Sequence, residues 1–150
     1  MSSGSYRPRR FIPKLEELGV RLCPSVTIQA NGGELRVDGN DAADVVSITD
    51  NGQGAVSVTA NGQTSAFAGI SQIQVQTRGG NDTITANLAL SAGSTGSVEA
   101  LVKGNEGDDQ LTLNVTGSAA ALKARLDGDA GFDRFAATAN VQLEEVEARL

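Results

Sequence analysis

The chain has 150 residues, which is enough for one domain or for one domain with a tail. It carries 18 acidic and 12 basic residues, and this acidic balance argues against nucleic acid as a partner, because phosphate binding needs Lys and Arg on one face. It has no His, so the most common general base is missing, and no stretch approaches the ~18 apolar residues of a membrane span.

Residues 1–25 form a basic leader that differs from the rest of the chain. Its three leucines at helical spacing lie between two prolines: Pro13, Leu15, Leu18, Leu22 and Pro24. We therefore expect a short helix or a disordered leader, which could cap the open end of the domain that follows. No apolar segment follows the basic residues, so an ordinary secretory signal is not visible. The single Cys23 cannot form an internal disulfide.

From residue 26 onward, four acidic turns share one six-residue pattern, roughly G-[G/N/D]-x-G-x-D. Turns 1 to 4 are residues 39–44, 77–82, 104–109 and 128–133, and their six positions are numbered 1 to 6 below. Apolar residues stand two and four places before position 1 and two and four places after position 6 in every copy. This alternation predicts a strand on each side of each turn.

The common register of the four copies predicts the fold. One apolar row is expected to contain Val37, Val75, Val102 and Leu126, and a second row Val46, Ile84, Leu111 and Phe135. Repeated strand–turn–strand units stack, and their turns then align along one edge. We expect an all-β domain over residues 26–150, folded as a right-handed parallel β-helix or β-solenoid of about four coils.

Three further segments are predicted in chain order. Asn61-Gly62, between alternating segments, is typical of a hairpin, although a corner of a larger coil is an alternative. Residues 91–96 are expected to form a loop. Residues 141–150 fit both a strand and a helix, and a last strand is favoured because strands flank the other turns.

The distribution of Asp suggests a metal. Nine of the ten Asp lie in or directly before the four turns, and Asp50 is the exception. Ca²⁺ takes six to eight oxygen ligands, and a glycine-rich turn can supply carbonyl oxygens beside an Asp carboxylate. One turn has too few oxygens, so two stacked turns would share a site. The candidate ligands are Gly39, Asn40, Asp41, Asp44, Gly79, Gly80, Asn81, Asp82, Gly104, Asn105, Gly107, Asp108, Asp109, Gly128, Asp129, Gly131 and Asp133.

The alternative for these residues is purely structural. Gly, Asn and Asp are ordinary turn formers, and Asp side chains hydrogen-bond the backbone of their own turns without a metal.

The turns resemble the hemolysin-type, or RTX, calcium repeat, G-G-x-G-x-D-x-U-x. Turns 3 and 4 depart from it only at position 2, which holds Asn105 and Asp129; turn 1 has Ala42 at position 4, and turn 2 has Thr77 and Arg78 at positions 1 and 2. The leader resembles the L-E-x-L-x-x-R-x-x-P-S leader of bacterial surface repeat proteins through Leu15, Glu16, Leu18, Arg21, Pro24 and Ser25. These resemblances imply an extracellular or cell-surface protein that binds Ca²⁺.

The function expected from these observations is that of a calcium-binding structural or adhesive module without enzymatic activity. The alternatives are a carbohydrate-binding module and a β-helix similar to polysaccharide lyases. The expected partners are calcium ions, together with a surface polymer or a second copy bound through the end of the stack. Nucleic acid and a membrane span are not expected.

Overall fold

The computed structural model describes residues 26–90, 98–117, 122–139 and 145–149. Twelve strands lie in these ranges: β1 (Thr27–Asn31), β2 (Glu34–Asp38), β3 (Val45–Asp50), β4 (Ala55–Ala60), β5 (Gln63–Ala68), β6 (Gln72–Gln76), β7 (Thr83–Leu90), β8 (Val98–Glu106), β9 (Gln110–Gly117), β10 (Leu122–Ala130), β11 (Arg134–Ala139) and β12 (Glu145–Arg149). The predicted leader, residues 1–25, and the predicted loop, residues 91–96, fall outside the described residues.

The strands form two six-stranded sheets. Sheet A has the order β1-β2-β6-β8-β10-β12, and sheet B has the order β11-β9-β7-β3-β4-β5. Pairing is parallel from β2 to β12 in sheet A and from β3 to β11 in sheet B. Pairing is antiparallel between β1 and β2, between β3 and β4, and between β4 and β5.

The expectation of a right-handed parallel β-helix of about four coils is wrong, although the domain is all-β. Both sheets are mixed and open, because three tight reversals fold the chain back beside the strand it has just formed. Gly32 and Gly33 make the first reversal, with φ of 58° and 89°, a region that glycine enters without a steric cost. The other two reversals place β4 and β5 at one edge of sheet B.

The predicted apolar rows are confirmed as neighbours. Val37, Val75, Val102 and Leu126 are successive partners across sheet A, and Val46, Ile84, Leu111 and Phe135 are successive partners across sheet B. Side chains of both sheets belong to one hydrophobic core. All members of the rows are buried except Phe135, which is partly buried at the edge of sheet B.

The two local predictions that fall on described residues are also confirmed. Asn61-Gly62 is the turn of the β4–β5 hairpin, with φ of 48° and 84°. The last segment contains strand β12, which pairs with β10. No helix among the described residues is long and apolar enough to cross a membrane.

Candidate functional site

The four acidic turns stack on one another, and we call this stack the turn column. Each turn leads from a strand of sheet A to the next strand of sheet B. Main-chain hydrogen bonds join neighbouring turns: Gly79 N to Asn40 O (3.2 Å), Glu106 N to Arg78 O (2.8 Å) and Gly107 N to Ala130 O (2.9 Å). The column therefore brings together the residues that the sequence singled out as candidate ligands.

The aspartates at position 6 form a continuous hydrogen-bonded series, the carboxylate ladder. The main-chain N–H of Asp44 donates to Oδ1 of Asp82 at 2.7 Å. The N–H of Asp82 donates to Oδ1 of Asp109 at 2.8 Å, and the N–H of Asp109 donates to Oδ1 of Asp133 at 3.0 Å. One oxygen of each of these three acceptor carboxylates thus binds the main chain of the preceding turn.

Asn61 closes the ladder at turn 1. Its Nδ2 donates to Oδ1 of Asp44 at 2.8 Å, and its Oδ1 accepts from the N–H of Val45 at 2.9 Å. The hairpin residue thus supplies the donor that a further turn would have supplied. The sequence predicts the Asn61-Gly62 turn but not this role, because the side-chain contact joins residues 17 positions apart.

The glycine at position 1 makes room for the carboxylate at position 6. A Cβ on Gly39 would come within 2.5 Å of Oδ2 of Asp44. Gly104 and Gly128 stand in the same relation to the carboxylates of Asp109 and Asp133. Alanine at this position would therefore displace the side chain of the ladder.

Turn 2 departs from this arrangement because Thr77 occupies position 1. Thr77 is fully buried, and its hydroxyl lies within hydrogen-bond distance of the carbonyl oxygens of Lys103 (3.3 Å) and Gly104 (3.1 Å). The departure from the glycine pattern thus adds a side-chain contact between turns 2 and 3.

The glycine at position 4 lets neighbouring turns approach closely. A Cβ on Gly107 would overlap the carbonyl oxygen of Gly80, and a Cβ on Gly131 would overlap that of Gly107. A Cβ on Gly80 would lie 2.6 Å from the carbonyl carbon of Ala42. Turn 1 has no preceding turn to contact, so alanine is accommodated there.

Positions 5 and 2 form two further series on the outside of the column. At position 5, Oδ1 of Asn81 accepts from the N–H of Asp108 at 3.1 Å, and Oδ1 of Asp108 accepts from the N–H of Phe132 at 3.0 Å. At position 2, the Asn105 amide, in the orientation that satisfies both of its groups, accepts from the N–H of Arg78 and donates to Asp129. These polar side chains therefore also serve the stacking of the turns.

Burial leaves the two central carboxylates incompletely satisfied. Asp82 and Asp109 are each 1% exposed, and Oδ2 of each has no hydrogen-bond partner. Burial raises the pKa of Asp82 to about 6. The Thr77 hydroxyl and the main-chain N–H of Asp44 lower this pKa, whereas the negative charges of the Asp109 and Asp44 carboxylates raise it. Burial likewise raises the pKa of Asp109. The main-chain N–H of Asp82 lowers this pKa, and the negative charges of Asp133 and Asp108 raise it further.

We expect the domain to become more stable as the pH falls from 7 to 5 in a calcium-free buffer. The pKa of Asp82 is higher in the folded state, at about 6, than in the unfolded chain, so the folded state binds the proton more tightly. This single group should raise the free energy of unfolding by about 1 kcal/mol between pH 7 and pH 5. Urea denaturation at both values measures the change.

The matched control for this pH effect is Asp82→Asn. The amide keeps an oxygen for the Asp44 N–H but cannot ionise, so the rise in stability should be smaller than in the wild type. A wild-type domain that loses stability from pH 7 to pH 5 would contradict the expectation.

Asp38 and Asp127, which directly precede turns 1 and 4, lie outside the column. Asp38 pairs with Arg36 at 2.8 Å, and Asp127 pairs with Arg125 at 2.8 Å and with Lys103 at 3.5 Å. Burial alone would raise the pKa of Asp127, but the two cations lower it. These two aspartates therefore serve ion pairs of sheet A.

The outer surface of the column holds a shallow depression of about 320 Å³, lined by Asn81, Asp82, Thr83, Asp108, Asp109, Gln110, Phe132 and Arg134. Phe132 at its rim is 88% exposed. Within the residues that the structure describes, no group of three or more His, Cys, Asp or Glu side chains could hold a metal ion. A cation here would therefore need main-chain and amide oxygens among its ligands.

No match to this chain was found among protein-family models, curated proteins or solved structures.

Proposed function

We propose that the chain is a non-catalytic structural or adhesive module of an extracellular or cell-surface protein, and that Ca²⁺ stabilises its turn column. The observation that carries this proposal is the pair of unpartnered Oδ2 atoms on the buried carboxylates of Asp82 and Asp109. A buried carboxylate without full hydrogen bonding is costly at neutral pH, and either a proton or a cation can relieve that cost.

The oxygen chemistry of the column suits Ca²⁺, a hard cation that accepts carboxylate, amide and carbonyl oxygens. Asp82, Asp109 and Asp133 would supply the negative charge. Asn81 and Asp108 at position 5 are exposed and line the same depression as Asp82 and Asp109, so their side-chain oxygens would also be available to the cation. Bound Ca²⁺ would supply positive charge between carboxylates of adjacent turns, which otherwise repel one another. The carbonyl oxygens of the glycine-rich turns would complete the ligand set.

A scaffold role also agrees with how the remaining turn residues are used. The glycines at positions 1 and 4 provide space for stacking, and the side chains at positions 2 and 5 bond neighbouring turns. The proposal assigns no catalysis, because the chain has no His and the two carboxylates of the column with raised pKa, Asp82 and Asp109, are buried.

Carbohydrate binding is the second candidate, and the exposed ring of Phe132 beside Arg134 and Gln110 is the observation in its favour. Sugar-binding surfaces use the faces of aromatic rings together with polar side chains. The two other aromatic residues of the described ranges, Phe67 and Phe135, are partly buried against the core. A single exposed ring makes this role the weaker candidate.

We expect Ca²⁺ to raise the melting temperature of the EDTA-treated domain. Extracellular calcium modules bind with dissociation constants of roughly 0.1–1 mM. At ten times the dissociation constant, one site would add about 1.4 kcal/mol to the free energy of unfolding. Circular dichroism during thermal unfolding, with Mg²⁺ at equal ionic strength as the reference, measures the shift.

The Asp109→Asn, Asp133→Asn double variant tests the assignment to the column. Asparagine keeps the acceptor oxygen of each ladder bond and removes the charge, so the domain should fold but lose most of the calcium shift. The Glu34→Ala, Glu99→Ala double variant removes two charges on sheet A and should keep the shift. An unchanged shift in the asparagine variant, or no shift in the wild type, would refute the calcium proposal.

A further inference from the structure

One Asn-Gly dipeptide lies at each of the three chain reversals: residues 31–32, 51–52 and 61–62. In such a pair the main-chain nitrogen of the glycine can attack the side-chain amide of the asparagine, because glycine has no side chain to obstruct the closure of the ring. The structure surrounds the three asparagines differently, and only one of them is set up for this reaction.

The middle dipeptide, Asn51-Gly52, begins the β3–β4 reversal, and its attacking N–H is bonded to a carboxylate. The N–H of Gly52 donates to Oδ1 of Asp50 at 2.9 Å. Asp50 is buried, and this burial raises the pKa of its carboxyl, although the bond from Gly52 opposes the rise. A carboxylate with a raised pKa is a stronger base. Asp50 is therefore placed to take the proton from the attacking nitrogen.

The side-chain carbonyl of Asn51 is held by two main-chain donors. Its Oδ1 accepts from the N–H of Gln53 at 2.8 Å and from the N–H of Ala55 at 3.2 Å. Two N–H groups aimed at one carbonyl oxygen stabilise the negative charge that develops there when a nucleophile adds to the carbonyl carbon. Asn51 is also exposed, so water can reach the product of this addition.

The other two dipeptides lack this arrangement within the part of the chain that the structure describes. Oδ1 of Asn61 accepts a single N–H, from Val45, and its Nδ2 is bonded to Asp44 in the ladder. The side chain of Asn31 makes no hydrogen bond to a described residue. They serve as internal controls, because the dipeptide is the same and only its surroundings differ.

We propose that Asn51-Gly52 is a self-modifying site, at which the folded chain converts Asn51 to aspartate or isoaspartate. The nitrogen of Gly52 bonds to Cγ of Asn51 while Asp50 takes its proton, and the negative charge develops on Oδ1 between the two N–H groups that it already accepts. Asp50 then returns the proton to Nδ2, the Cγ–Nδ2 bond breaks, and ammonia leaves. Water opens the resulting five-membered imide at either carbonyl.

The reaction is a single turnover of the chain on itself, so the module stays non-catalytic toward other molecules. It places a second carboxylate beside Asp50, and isoaspartate also adds one carbon to the main chain of the reversal. Residues 50–55 lie at the end of β3 opposite to turn 1, outside the turn column. A failure of the calcium proposal would therefore leave this one intact.

The first test compares the folded chain with the same chain unfolded in guanidinium chloride, at neutral pH and equal age after synthesis. Tandem mass spectrometry of proteolytic fragments measures the conversion at residues 31, 51 and 61. Residue 51 should convert at least about tenfold faster in the folded chain, within the 10²–10⁴-fold that a positioned acid–base group supplies. Residue 61 should convert more slowly when folded. Conversion at residue 51 that is as fast in the unfolded chain would overturn the proposal.

The second test is Asp50→Ser, which keeps an acceptor oxygen for the N–H of Gly52 and removes the base. Conversion at residue 51 should slow by at least about tenfold, while conversion at residue 61 and the circular dichroism spectrum stay unchanged. Asp38→Ser, which removes a carboxylate of sheet A, is the matched control and should keep the wild-type rate. A wild-type rate at residue 51 in Asp50→Ser would overturn the proposal. If this variant does not fold, the comparison of folded with unfolded wild type decides.

Discussion

Val102→Asp is expected to unfold the domain. Val102 is 3% exposed and lies in the row of sheet A between Val75 and Leu126. An unpaired charge in this layer costs several kcal/mol, which is comparable to the total stability of a small domain, about 5–15 kcal/mol. Circular dichroism should show loss of the strand signal, and urea denaturation should show no cooperative transition.

Leu101→Asp is the matched control, because the same substitution is made one residue earlier on β8. Leu101 is only half-buried, on the outer face, with Gln74 and Arg125 as its partners on neighbouring strands. The variant should remain folded. Equal loss of structure in both variants would contradict the assignment of the two faces.

Gly107→Ala should have the second largest effect, lowering the free energy of unfolding by about 3 kcal/mol or more. Two causes add: φ of Gly107 is 131°, which L residues rarely adopt, and the new Cβ would overlap the carbonyl oxygen of Gly80. Urea denaturation measures the loss.

Gly62→Ala separates these two causes. Gly62 has φ of 84°, but nothing lies within 4 Å of the position of its Cβ. This variant should lose only about 1 kcal/mol, from backbone strain. If Gly107→Ala costs no more than Gly62→Ala, close stacking of turns 2 and 3 does not contribute to stability.

The sequence predicted that the four turns align but not how they bond to one another, and the role of their residues as metal ligands stays a prediction. The pattern G-x-x-G-x-D marked Asp82 and Asp109 as members of one series, and they are neighbours in the ladder. The pattern could not show that one oxygen of each carboxylate accepts from the main chain of the preceding turn. It also could not show why Ala42 is tolerated at position 4, since the reason is the absence of a preceding turn.

The antiparallel pairs were only partly predictable. Asn61-Gly62 predicts a hairpin, and Gly32-Gly33, a dipeptide equally typical of two-residue hairpin turns, forms the β1–β2 reversal. The β3–β4 reversal, at residues 51–54, carries two glycines that would have signalled a turn. Local turn chemistry was therefore visible in the sequence at all three reversals.

The sequence by itself determined the strands, the faces of the apolar rows and the alignment of the turns, because two-residue alternation and turn chemistry are local properties. Only the tertiary structure decided which strands pair antiparallel and that the sheets are mixed and open, because a reversed strand can join either edge of a sheet. It also decided that Asn61 closes the ladder and that, among the described strands, β11 is the outer one of sheet B. These outcomes depend on contacts between residues far apart in the chain, which no local pattern specifies.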